Sequence, residues 1–239
     1  MNVYESHPNG SRIHGNPYVG RGIVIGKTAD GTRALFAYFI MGRSENSRNR
    51  VFVLDGDTLV TRPFDASRVQ DPSLIIYSAI RRFENKLIVT NGDQTDTVYD
   101  GFANGECFFH SLKTRQFEPD FPNLTPRISG VLVFSPNDFS YKMSILKSAD
   151  EKGTACNRYM FDYTALPGMG HFIHTYVCDG NPIPTFQGEP ERVAIPDDID
   201  EFTDTIWNNL NQDNKISLYV KYIDLETGKE ENRMINKNK

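Results

Sequence analysis

The sequence predicts an α+β domain built on antiparallel sheet, and three observations carry that prediction. Strand-like runs pair off around tight-turn residues, only two stretches show helical spacing, and those helices fall between blocks of strands. A βαβ nucleotide fold would alternate single strands with helices, so it is disfavoured.

Taken in order, residues 1 to 15 combine Asn, Gly, Ser, Pro and His without periodicity. They read as a flexible arm outside the core, which divides the chain into an arm over 1–16 and a single domain over 17–239. Tyr18 to Lys27 and Arg33 to Met41 form a hairpin around Asp30-Gly31. After the polar loop Gly42 to Arg50, Val51 to Leu54 and Thr58 to Arg62 flank Asp55-Gly56-Asp57 as a second hairpin. Ile75 to Phe83 and Lys86 to Thr90 flank Glu84-Asn85 as a third. Asn104 to Phe117 spaces Cys107, Phe108 and Leu112, and less regularly Phe117, as an amphipathic helix. Further strands are expected at Ile128 to Phe134, Ser140 to Leu146, Tyr159 to Tyr163 and Gly170 to Cys178. Asn181 to Asp198, with Pro182, Pro184, Pro190 and Pro196, reads as a long surface loop. Pro196 to Leu210 is the clearest helix, opened by proline and acids and carrying Ile199, Phe202, Ile206 and Leu210 at helical spacing. Ser217 to Asp224 and Glu230 to Ile235, joined at Thr227-Gly228, make the last hairpin.

Composition narrows the function. At 239 residues and 38% apolar content the chain can bury a core. Its longest apolar run, Ala34 to Met41, is too short to span a bilayer, and Met1 to Asn16 has no apolar signal region, so a cytoplasmic protein without a membrane partner is expected. A net charge of −5 argues against a nucleic-acid partner. Cys107, Cys156 and Cys178 stand too far apart for a zinc site or a disulfide framework and read as reduced core thiols. The chain has no GxGxxG in a βαβ context and no GxxxxGK[ST], HExxH or GxSxG, which weakens the common nucleotide, metalloprotease and serine-hydrolase readings.

Three segments could carry chemistry. Gly42 to Arg50 gathers Arg43, Arg48 and Arg50 among small polar residues; planar guanidinium groups suit a monophosphate, although a solvated loop reads the same way. Phe117 to Ile128 fixes Glu118, Asp120 and Asn123 on a proline-stiffened loop just before a core strand, as a catalytic loop would or as a plain connector would. Tyr77 and the turn Asn91 to Asp96 form the third. Taken singly, a strand Tyr is usually packing and Asn-Gly usually a turn. His171 and His174 would face opposite surfaces of a strand, so no metal site is expected.

Read together, these segments resemble the archaeal-type inosine monophosphate (IMP) cyclohydrolase family. The matching stretches are Tyr18-Val19-Gly20-Arg21-Gly22, Gly42-Arg43-Ser44 with Arg48, Ile76-Tyr77 leading to Thr90 through Asp96, and Glu118-Pro119-Asp120 running into Thr125-Pro126-Arg127-Ile128. A looser match continues through Tyr176 and Gly180 to Gly188-Glu189. The resemblance implies a four-layer αββα sandwich of the N-terminal-nucleophile-hydrolase type, two antiparallel sheets flanked by helices. It implies no cofactor and no self-cleavage, consistent with the lack of Ser, Thr or Cys immediately before the Tyr18 strand. The implied reaction closes 5-formamidoimidazole-4-carboxamide ribotide to IMP with loss of water, so the partner is a small purine ribotide. The resemblance points to Glu118 as general acid or base, Tyr77 as a hydroxyl donor and Arg43 as a cationic contact, all three catalytic. It adds Arg21, Arg48 and Arg127, to bind phosphate or fix Glu118, and Asn91, Gly92 and Thr95 around the base. Ser44, Asn123 and Thr125 complete the expected substrate contacts. Family members can form tetramers, which leaves a homo-oligomer open. A purine-nucleotide-binding relative without turnover, or an amide hydrolase using Cys107 or Cys156, are the alternative functions.

Overall fold

A computed structural model describes residues 4–69 and 76–238. Two antiparallel sheets stack face to face. The six-stranded sheet has the order β11-β10-β1-β2-β12-β13, from β1 (Arg21–Lys27), β2 (Arg33–Met41), β10 (Met169–His174), β11 (Glu191–Ala194), β12 (Lys215–Asp224) and β13 (Glu230–Asn236). The seven-stranded sheet runs β3 to β9 in sequence order: β3 (Val51–Asp55), β4 (Thr58–Arg62), β5 (Tyr77–Phe83), β6 (Lys86–Thr90), β7 (Arg127–Ser135), β8 (Asp138–Ser148) and β9 (Cys156–Thr164). Every hairpin expected from turn chemistry is present, although Ile75, expected at the start of β5, lies outside the described residues. The helices are α1 (Glu45–Arg48), α2 (Gln94–Ala103), α3 (Phe108–Ser111) and α4 (Ile199–Asn209), with a short 3₁₀ turn at Ala66–Arg68.

The period of two along β2 shows how one strand serves two cores. Ala34, Phe36, Tyr38 and Ile40 point between the sheets, where they meet Phe52, Tyr77, Val89 and Ile128. Leu35, Ala37, Phe39 and Met41 point the other way, onto Ile199, Phe202 and Ile206 of α4. The unbroken apolar run is therefore a strand buried on both faces. On the far side of the seven-stranded sheet, Val98 and Phe102 of α2 and Phe108 of α3 cover Ile88, Val131 and Leu146. Where β7 packs against β1 of the other sheet it carries Gly130: a Cβ there would lie 2.5 Å from Ile25 Cδ1 and 3.1 Å from Val89 Cγ1. Gly130→Val is expected to destabilise the fold by about 2–3 kcal/mol through overpacking, read as a fall in the denaturation midpoint. An unchanged midpoint would mean the inter-sheet space can absorb an isopropyl group.

Four sequence expectations are corrected. The helix expected over Asn104 to Phe117 is only the short α3, and the longer helix α2 ends just before that range, at Ala103. Gly105, with φ of +77°, closes α2 as a left-handed cap, Glu106 N donating to Gly101 O at 2.8 Å and Gly105 N to Phe102 O at 3.0 Å. What reads as a helix start is a helix end. The cysteines are not core thiols: they are free, but Cys107 is exposed and Cys156 and Cys178 are half-buried. The expected loop at 181–198 contains β11, which pairs with β10 through His171↔Arg192. The segment before Pro17, expected outside the core, contributes Ile13 to the cluster under α4, and His7 N donates to Arg192 O at 3.0 Å.

His171 and His174 face opposite surfaces of β10 and both are buried. His171 shares a 2.6 Å hydrogen bond with the Tyr141 hydroxyl; His174 donates from Nδ1 to Tyr176 O at 2.7 Å. Burial pushes each imidazole down to about 4. Both are then neutral in the fold yet charge freely near pH 6.5 when unfolded. The stability that depends on their neutrality is intact above pH ~6.5 and falls as pH drops towards ~4, by up to about 3 kcal/mol for each histidine. A melting temperature that stays constant from pH 7 to 4.5 would contradict this.

Among the described residues no helix is long and apolar enough to cross a membrane. At one border of the seven-stranded sheet, β3 is met by the Asn236 side chain of β13: Oδ1 accepts from Phe52 N at 2.8 Å and Nδ2 donates to Phe52 O at 3.0 Å.

Candidate active site

Antiparallel pairing brings alternate strand ends together, and at one end of the sandwich it gathers most of the polar residues singled out above. These are Arg21 at the start of β1, Tyr77 at the start of β5, Asn91-Gly92 after β6 and Arg127 at the start of β7. Thr175-Tyr176 after β10 and the loop from Phe117 to Thr125 complete the group.

The loop closes on itself. Glu118 N donates to Thr125 O at 2.8 Å, Thr125 N donates to Asp120 Oδ1 at 2.6 Å, and the Thr125 hydroxyl bonds both Asp120 and the Tyr176 hydroxyl. The Glu118 carboxylate is thereby turned inward; the residue is 5% exposed. Arg21 Nη2 lies 3.8 Å from Glu118 Oε2. Burial pushes the Glu118 carboxyl above the ordinary Glu value, against the opposing pull of Arg21 and Arg127. Desolvation, with the Asp120 charge beside it, thus outweighs the guanidinium groups of Arg21, Arg127 and Arg50.

Arg127 is itself anchored: Nη1 donates to Gln94 Oε1 at 2.7 Å and lies 2.7 Å from Asp93 Oδ1. Gly92 is required beneath it. A Cβ there would stand 2.5 Å from Arg127 Nη1 and 3.6 Å from Glu118 Oε1. Asn91 spends its whole side chain on the scaffold, Nδ2 donating to Pro126 O at 3.0 Å while Oδ1 accepts from Gln94 Nε2 and Ile128 N, each at 2.9 Å. Thr95 is likewise internal, bonded to the Thr90 hydroxyl at 2.7 Å.

The remaining expected residues lie farther out. Arg43 pairs with Asp179, donates to Gly180 O at 2.8 Å and sits 5.3 Å from the centre of the Tyr18 ring. Tyr18 stacks on Tyr176 at 5.7 Å, so Arg43 reaches the cluster through two aromatic rings. Ser44 is the N-cap of α1, accepting from Ser47 N at 3.1 Å. Arg48 ties α1 down through Gly42 O at 3.1 Å and Asn214 Oδ1 at 2.8 Å. Asn123 Oδ1 accepts from Ile183 N at 3.4 Å. These four are engaged with the loops around the cluster and not with Glu118.

Two members of the cluster were not singled out as site residues. Arg50 is 2% exposed, and its partners are backbone carbonyls, Ser47 O at 2.7 Å and Met41 O at 3.4 Å. Burial and the neighbouring Arg21 charge push its pKa below the ordinary guanidinium value. Arg21 also leaves its buried Nε without a hydrogen-bond partner. Tyr38 of β2, fully buried, shares a 2.8 Å hydrogen bond with the Tyr77 hydroxyl across the inter-sheet space. One signal in the sequence could have found Tyr38: a phenol in an otherwise apolar run must find a partner for its hydroxyl. For Arg50 the basic loop was a signal, but one that does not say which of its arginines turns inward, because a buried and a solvated arginine there look alike.

The end of the sandwich thus combines a buried carboxylic acid, a phenol and guanidinium groups, the set needed to hold an anion and move a proton beside it. Among known proteins, a family model described as IMP cyclohydrolase-like protein matches residues 18–229. An IMP cyclohydrolase of Methanopyrus kandleri is 34% identical over 185 residues, 71% of this chain and 89% of that protein. One of Methanococcus aeolicus is 28% identical over 165 residues, 67% of this chain and 75% of that protein. One of Methanocaldococcus jannaschii is 29% identical over 117 residues, 48% and 56% of the two chains.

Proposed function

This chain belongs to the IMP cyclohydrolase-like family, and on that premise we propose that it closes 5-formamidoimidazole-4-carboxamide ribotide to IMP with loss of water. The observation that carries the reading is the excess of buried positive charge around Glu118, where Arg21 and Arg50 meet a single carboxylate. Arg50 has no ion pair among the described residues and Arg21 has an idle buried donor. Buried guanidinium groups that outnumber their carboxylates are costly and are relieved by an anion such as a ribotide phosphate or a developing oxyanion.

In the proposed reaction the carboxamide nitrogen attacks the formyl carbon and the formyl oxygen becomes a hydroxyl, which then leaves as water. Glu118 is the proton carrier: its carboxylate takes a proton from the attacking nitrogen and passes it to the formyl oxygen, then takes the formamido N–H proton as the ring C=N bond forms and passes it to the departing hydroxyl, which leaves as water. Burial, which favours the acid form, supports this double role. Tyr77 donates towards the formyl oxygen, and Arg21 and Arg50 meet the negative charge. Arg127 and Gly92 hold the Glu118 side of the site, with Asn91, Gln94 and Thr95 as scaffold. Arg43, Ser44, Arg48 and Asn123 shape the rim. Both reacting groups lie on one ring, so positioning contributes much of the rate. The helix-covered faces of the two stacked sheets suit the αββα layering of N-terminal-nucleophile hydrolases. The chemistry proposed uses no autoprocessed nucleophile and no cofactor, acts in a cytoplasmic pathway, and belongs to one domain.

The test is turnover of the purified protein with the formamido ribotide, following IMP. Formation of IMP, surviving full alkylation of the three cysteines, supports the cyclohydrolase and removes the thiol hydrolase. Absence of turnover, with IMP still raising the melting temperature, would replace it with a purine-nucleotide-binding relative.

A further inference from the structure

We propose that Tyr38 is a positioning residue that fixes Tyr77 as a hydrogen-bond donor, so that the Tyr77 proton is always directed into the Glu118 site. The assignment rests on the ring-closing reading of that site and follows from counting donors. Each hydroxyl has one proton, and the two oxygens are 2.8 Å apart, so one donates and the other accepts. Tyr38 is fully buried, and this is its one side-chain hydrogen bond among the described residues. The charged groups around it, Arg21 and Arg50, are donors with no acceptor to offer. If Tyr77 donated to Tyr38, the Tyr38 proton would be stranded in the core. If Tyr38 donates, its proton is satisfied and the Tyr77 proton is the one left over, at the edge where substrate would sit.

Packing holds the pair in place. The Tyr38 ring stacks on Phe52 at 5.4 Å, and Tyr77 stands opposite Thr61 in the sheet. The phenol of Tyr38 also keeps its proton, because burial pushes its pKa well above the ordinary tyrosine value. The device is therefore one-directional: a neutral, immobile donor behind the donor that works.

Tyr38→Phe tests it, since the ring and its stacking on Phe52 survive while the hydroxyl is lost. With the formamido ribotide as substrate, kcat is expected to fall by about tenfold while KM and the affinity for IMP change by less than about twofold. A purely structural role would not split kcat from KM in this way. In protein labelled at tyrosine Cζ, the Tyr77 resonance, which senses hydrogen bonds to its oxygen, is expected to move in Tyr38→Phe. An unmoved Tyr77 resonance overturns the assignment whether or not the protein turns over. So does an undiminished kcat in an active enzyme, because loss of an acceptor would only free the Tyr77 proton. Failure of the wild type to form IMP would instead overturn the ring-closing reading, and the Tyr77 resonance would still decide the role of Tyr38.

Discussion

Glu118→Gln is expected to lower kcat for IMP formation by about a hundredfold or more while leaving the affinity for IMP within a few-fold of wild type. The amide keeps the shape and the loop. Glu118 is held by its backbone bond to Thr125 O, and Asp120, not Glu118, organises the turn, so the carboxylate can be neutralised without unpicking the fold. What is lost is the acid that burial raises above the ordinary Glu value; Asp93 is pushed the other way by its hydrogen bond from Arg115 and the charge of Arg127, which outweigh its own partial burial. Single-turnover kinetics beside a thermal melt check this. A variant that turns over normally would move proton transfer to another group. A variant that has lost affinity for IMP would make Glu118 a binding residue.

The second large effect is expected at Arg50. Arg50→Met should weaken IMP binding by about a hundredfold, the scale of a lost charge-assisted contact in a dry site. The unliganded protein should melt within a few degrees of wild type, because two opposed terms meet. Removing a buried cation relieves its desolvation and its repulsion with Arg21. Against that, Ser47 O and Met41 O lose their donor. Ligand-induced stabilisation measured by calorimetry separates the two readings: an unfolded variant would make Arg50 a structural strut, and a folded variant with normal affinity would remove it from the anion site.

The fold was largely legible because its signals are local. Asp30-Gly31 and Asp55-Gly56 state their hairpins, and the mixed faces of Pro196 to Leu210 state a helix. α2 was missed because its buried first turn is polar. Gln94 and Thr95 are inside as scaffold for Arg127 and Gly92, which inverts the pattern that marks a helix from sequence. The site was legible only in part, for a related reason. Glu118, Tyr77, Arg21 and Arg127 sit on segments with distinctive neighbours, and the structure gathers them. Arg43, Ser44 and Arg48 share a conspicuous basic loop, yet Ser44 is used as a helix cap and Arg48 as a tether. Arg50, two residues farther on, is the one that turns inward, and whether a guanidinium is dry depends on strands that are distant in sequence.

The Asn236 side chain on β3 bears on how this molecule behaves at high concentration. A border strand whose N–H and C=O groups point outward is a template on which a foreign strand can grow. Asn236 occupies both groups of Phe52 with its own amide, so an incoming chain would find no ladder to extend there. At the opposite border β9 presents Arg158 and Asp162, charges that discourage like strands from adding. The two margins of this sheet are thus guarded by different means, a covalently tethered plug at one and charged side chains at the other.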